Sequence, residues 1–192
     1  MADARKTISK SSAASRVKKI AKNNPSYQEM REILNRARQE KGHASDRAAA
    51  IMGGAMIEDA LRVAIKRTFD KKFPEELLPD LFEPEKKGPL STLGYRILVG
   101  YALGVFGPIT YSDLKKINVV RNAFAHSAEE ISFEMPDLKS LCSEFQLIRE
   151  SKLPPPQDAR DAYIRTVSLM VSNWRIVIRG TNLITWTPVA LP

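Results

Sequence analysis

The sequence predicts an all-α protein, a helical bundle of five to six helices carrying a disordered, basic N-terminal leader. Three observations lead there. Apolar residues recur at helical spacing in separate segments, capping signatures precede several of them, and almost nowhere does the pattern alternate as a strand would. A chain of 192 residues, 43% of them hydrophobic, is long enough to bury one full core. One domain over residues 25–180 is expected, with a leader at 1–24 and an extended tail at 181–192.

Residues 1–24 are rich in Lys, Ser and Ala and show no useful apolar period. Ser26-Tyr27-Gln28-Glu29 has the form of a capping box, and Tyr27, Met30, Leu34 and Ala37 follow at helical spacing. This predicts an amphipathic helix over 27–40, ended by Gly42. A second helix starts at Ser45 or Asp46 and runs to about Phe69. Its centre, Ala48 to Ile57, is small and apolar enough to let another helix approach closely, although each glycine there costs about 1 kcal/mol relative to alanine. Glu58 and Asp59 interrupt that zone among Ile51, Ala55, Leu61 and Ile65. One of the two faces inward or lies at the edge, and a buried carboxylate needs a cationic or donor partner.

Pro74, Pro79, Pro84 and Pro89 make the next stretch a connector with a short turn near 75–81. Ser91 or Thr92 caps a helix to about Phe106, and Gly107-Pro108 stops it. Thr110-Tyr111-Ser112-Asp113 reads as a second capping box opening the helix that ends near Ser127. A short extended piece, Ile131-Ser132-Phe133, leads to a helix over 137–150 with Pro136 in its first turn. Pro154-Pro155-Pro156 breaks the chain, and a last long helix runs from about Asp158 to Arg179.

Composition excludes several function classes. Cys142 is the one cysteine, so no internal disulfide forms. With His43, His126 and Cys142 the only nitrogen or sulfur ligands, neither a metal site nor a cofactor is expected. No apolar run is long enough to span a bilayer, so no membrane association and a cytoplasmic location are expected. The net charge of +8 is unevenly placed: the leader holds Arg5, Lys6, Lys10, Arg16, Lys18, Lys19 and Lys22 against Asp3 alone, and the rest of the chain is nearly neutral. Those seven cations are the candidate nucleic-acid contacts, as a salt-sensitive, sequence-independent arm for nucleic acid, RNA included, or anionic surfaces; the plainer reading is a disordered, solubilising leader.

The chemically suggestive segment is Arg121-Asn122-Ala123-Phe124-Ala125-His126. On a helical wheel Leu114, Ile117, Val120 and Phe124 form a core stripe. Arg121, Ala125, Asn118, Asn122 and His126 then follow as one arc, with no Glu or Lys among them. Such a face suits a polar cleft or interface. A guanidinium can grip a phosphate and an imidazole can move a proton near neutral pH, so Arg121, Asn122 and His126 are candidate catalytic residues for metal-independent RNA cleavage. One helix supplies one histidine, so a symmetric homodimer would be needed for a second proton-transfer group. The alternative is structural: Asn122 and His126 pair at a helix end, and Arg121 neutralises Glu58 or Asp59, with Asn118 as a supporting polar group.

Arg121 to His126 also matches the Arg-x4-His motif of the HEPN superfamily of helical bundles. The wider chain, from Ser45 to Trp174, resembles the mannitol operon repressor (MltR) family within or near that group. The resemblance rests on Ser45-Asp46-Arg47, Ile57-Glu58-Asp59-Ala60-Leu61, Leu81-Phe82-Glu83, Gly88-Pro89-Leu90-Ser91, Tyr101-Ala102-Leu103-Gly104, Arg121 to Ser127, Ile131-Ser132-Phe133 and Asp158-Ala159-Arg160. It implies a regulator acting through a protein partner, since no DNA-reading helix-turn-helix is visible. The superfamily likeness implies the alternative, a dimeric ribonuclease of toxin or defence type using Arg121 and His126.

Overall fold

A computed structural model describes residues 27–40, 42–69 and 73–179. The leader, its seven candidate cations and the tail from residue 180 lie outside the described residues. Among the described residues the protein is all-helical, with eight α-helices, two short 3-10 turns and no strand. The helices are α1 (Tyr27–Gln39), α2 (His43–Lys66), α3 (Leu78–Phe82), α4 (Leu93–Ala102), α5 (Pro108–His126), α6 (Pro136–Ser143), α7 (Gln146–Glu150) and α8 (Ala159–Arg179). The count exceeds five or six because the connector forms α3 and the stretch read as one helix over 137–150 divides into α6 and α7.

Helix α2 is the axis of the bundle, touching α1, α4, α5 and α8. Its small centre makes those approaches possible. A Cβ on Gly53 would lie 2.8 Å from the Tyr163 ring of α8, and one on Gly54 would lie 2.5 Å from Cγ of Arg121 on α5. Tyr163 is fully buried and its hydroxyl donates to the Ala50 carbonyl at 2.8 Å, which pins the ring over Gly53. Leu114, Ile117, Val120 and Phe124 are all fully buried, so the stripe read from the α5 wheel is its core face.

Several local boundaries differ from the sequence reading, each for a traceable reason. Helix α2 begins at His43 behind Gly42, not at Ser45 or Asp46. Asp46 is instead buried, pairing with Arg160 at 3.3 Å and accepting from the Phe133 backbone N–H at 3.0 Å. Helix α4 ends at Ala102, short of Phe106, because Gly104 takes a left-handed φ of 69° and the chain folds Phe106 back over Gly100. Pro108 does not stop a helix but starts one, as the first residue of α5 behind Gly107. Asp113 is therefore not a capping-box partner for its own helix. Fully buried, it reaches across to accept from the N–H groups of Gln146 (3.0 Å) and Leu147 (2.8 Å), capping α7. Ile131 and Ser132 form no regular element, a turn begins at Phe133, and the Phe133 ring is buried against Phe124 and Tyr163.

The connector is fastened by Arg96 of α4. Its guanidinium donates to the carbonyls of Leu90 (2.6 Å), Phe82 (3.2 Å) and Glu58 (3.1 Å), and it meets the Glu58 carboxylate at 3.3 Å. Burial pulls its pKa below the ordinary arginine value, opposed by the Glu58 charge. Among the described residues no helix is long and apolar enough to cross a membrane.

Candidate functional site

Helix α5 runs between α2 and α4, and its polar arc emerges along both seams. Gly54 admits the Arg121 stem on the α2 side. The half-buried Arg121 then donates from Nη1 to Oδ1 of Asn122 at 3.0 Å, and makes no ion pair among the described residues. Glu58, one of its two expected partners, is bound by Arg96, while Asp59 is exposed. On the α4 side the Asn118 amide lies beside Gly94, 3.7 Å from where a Cβ would sit, an ordinary van der Waals distance. His126 is the last residue of α5 and is exposed.

The chain leaving His126 is strapped to the start of α2. Arg47 donates from Nη2 to the carbonyls of Ser127 (3.1 Å) and Glu129 (3.4 Å), and Nδ1 of His43 lies 3.4 Å from the Ile131 carbonyl. The guanidinium thereby satisfies two carbonyls of the loop that follows α5. Arg47 was not among the candidate residues, although Ser45-Asp46-Arg47 stands within the recognised segments. Neither was Arg96, whose partners are mostly backbone carbonyls that no side-chain pattern reveals.

What the arc can do chemically is limited by its own helix. Positions five apart are separated by roughly 140° around an α-helix, so Arg121 and His126 diverge from the α5 axis. The arc alone supplies a partly occupied guanidinium, two carboxamides and one imidazole.

Beside the arc lies a different feature. A groove of about 640 Å³ between α4 and α5 is lined by Gly94, Leu98, Tyr111, Lys115, Asn118 and Val119 among others. Leu98 (52% exposed) and Val119 (54%) stand open in its wall. Tyr101 stacks on Tyr111 with ring centroids 4.4 Å apart, and the Lys115 ammonium sits 5.4 Å over the Tyr111 ring. Lys115 and Lys116 line the groove and no carboxylate does. Asn118 belongs to both groove and arc, which makes them one continuous surface.

Comparison with known proteins places this architecture. The mannitol operon repressors of Escherichia coli strain K12 and of Escherichia coli O6:H1 strain CFT073 are each 23% identical over 146 residues, spanning 73% of this chain and 71% of theirs. The X-ray structure of the MtlR-HPr complex from Escherichia coli superposes with a TM-score of 0.56 at 18% identity, over 76% of this chain and 97% of that one, a likeness of fold. The family model described as "Mannitol repressor" matches residues 32–184, from within α1 to beyond α8. The chain belongs to the mannitol repressor family.

Proposed function

We propose that this chain is a transcriptional regulator that acts by docking a protein partner rather than by reading DNA, and that the α4–α5 groove with the adjoining arc is the docking surface. One observation carries the reading: Leu98 and Val119 stand exposed in the wall of a groove whose lining offers Lys115 and no carboxylate, Lys116 being held by Asp113 and Glu144. Contiguous exposed apolar side chains with a charged edge are the signature of an interaction site. The matching partner is a small folded protein presenting an apolar side chain to the groove and a carboxylate to Lys115. The fold neighbour's capture in a complex with HPr supports a protein partner. In this reading Asn118, Asn122 and Arg121 supply hydrogen bonds at the edge of the interface, and His126 marks its far end.

Titration of the purified chain with HPr by calorimetry tests this. Saturable binding is expected, with Leu98→Glu and Val119→Glu each weakening it by about tenfold or more while the melting temperature holds. Binding that ignores both variants would place the partner elsewhere. A second copy of the chain is the competing occupant, and sedimentation velocity decides it: a dimer dissolved by Leu98→Glu would make this face the self-interface. The ribonuclease alternative has less support, because Arg121 and His126 diverge and the arc holds a single imidazole.

A further inference from the structure

We propose a second docking groove, between α1 and α8, that receives an acidic amphipathic segment of a protein partner. It shares no lining residue with the α4–α5 surface and has a volume of about 530 Å³. On α1, Met30, Leu34 and Ala37 are buried, which turns Arg31, Asn35 and Arg38 outward as one stripe along the groove wall. Arg31 and Arg38 are two turns apart, about 10.5 Å along the helix. The α8 wall adds Arg165, Ser168 and Ser172, and the apolar surface is that of the half-buried Leu169 and the exposed Leu153, above the buried Met56 and Ile164.

The arginines divide by what already holds them. Arg165 donates to the carbonyls of Pro154 (2.6 Å) and Pro155 (3.2 Å) and meets Asp161 at 3.3 Å, fixing the proline loop as the end wall of the groove. Arg38 meets the buried Asp161 at 2.8 Å yet keeps its side chain 47% exposed. Arg31 is exposed with no partner among the described residues. The single carboxylate in the lining, Asp161, is thus shared by two arginines, and the groove keeps an uncompensated positive stripe beside that apolar surface.

That combination selects the occupant. Two carboxylates about 10 Å apart, as at positions i and i+7 of a helix, match Arg31 and Arg38, and apolar residues between them pack on Leu153 and Leu169. A nucleic-acid backbone would leave that apolar surface uncovered and bring its phosphates beside Asp161. The chain's own basic leader is repelled by the same stripe. A preformed end wall lowers the ordering cost of binding. With both surfaces occupied, the molecule would join two proteins at once.

The test is fluorescence anisotropy of a labelled leucine–alanine–glutamate helical peptide of about 18 residues with glutamates seven apart, titrated with the full chain. Saturable, salt-sensitive binding is expected. It should weaken by about tenfold when the glutamates become glutamine, and similarly in an Arg31→Glu/Asn35→Glu variant whose melting temperature is unchanged. Leu98→Glu, on the other surface, should leave it intact; the same variant weakens HPr binding if the functional proposal holds, so the two stand or fall separately. Absence of binding, equal binding of the glutamine peptide, or equal binding by the double variant overturns the proposal. So does stronger competition by a mixed-sequence RNA oligonucleotide. Binding that emerges only after residues 181–192 are removed would assign the groove to the chain's own tail and overturn it too.

Discussion

Arg96 and Arg121 reach inward from neighbouring helices, and their partners decide what each is worth. Arg96 is buried, with three carbonyls and the Glu58 carboxylate around it. Arg96→Ala leaves all four without their donor and should cost about 3–5 kcal/mol in urea unfolding. Arg121 strands nothing charged when removed, because Glu58 stays bound to Arg96. Arg121→Ala should therefore cost only about 1–2 kcal/mol, from one hydrogen bond to Asn122 and the stem packed on Gly54. A loss matching that of Arg96→Ala would reveal a buried carboxylate held by Arg121. At Asp113 burial raises the pKa above the ordinary carboxylate value, against the pull of the Leu147 and Gln146 N–H groups and Lys116. A folded-state pKa above the unfolded one favours the protonated form in the fold. That contribution is complete below the unfolded pKa and is lost as pH rises through the folded pKa. Asp113→Asn cannot titrate and keeps one acceptor for the α7 N–H groups. The stability of the natural chain relative to this variant should fall as pH rises across that interval, and urea midpoints that differ by a constant at every pH would contradict this.

Within the elements, α2 and α5 show which features a sequence exposes. The core face of α5 was legible because four apolar residues three or four apart can share one side of a helix. Its start was not, since Thr110 and Asp113 have the spacing of a capping box while Pro108 already fixes the first turn. Asp113 spends its oxygens on α7, more than thirty residues later, a contact no local pattern encodes. The small centre of α2 signalled close approach without naming the neighbours, Tyr163 and Arg121. Those neighbours predict different outcomes for two adjacent glycines. Gly53→Ala gains helix propensity but drives a methyl into a fully buried, hydrogen-bonded ring, so a net loss of about 1–3 kcal/mol is expected by thermal melting. Gly54→Ala meets the root of the Arg121 side chain, Cγ at 2.5 Å and Cβ at 3.1 Å, which yields only by a rotamer change or a shift of α5; its loss should be at least as large and, unlike that of Gly53→Ala, should be partly relieved by Arg121→Ala.

At the scale of the whole molecule, the polar arc drew attention in the sequence because glutamate and lysine are missing from it. The groove beside it did not, since Leu98 and Val119 look like ordinary core residues until the packing leaves them outside. The proposed function thus rests on an interface rather than on a catalytic pair. Accordingly, structured and single-stranded RNA incubated with the chain in EDTA should stay intact with both the natural protein and His126→Ala; cleavage by the natural protein alone would restore the ribonuclease reading. The central claim is that a protein partner docks on α4 and α5, and amide hydrogen exchange with and without HPr tests it most directly. Protection concentrated in residues 93–102 and 111–126 is the predicted result, whereas unchanged exchange there, or protection confined to α1 and α8, would contradict it.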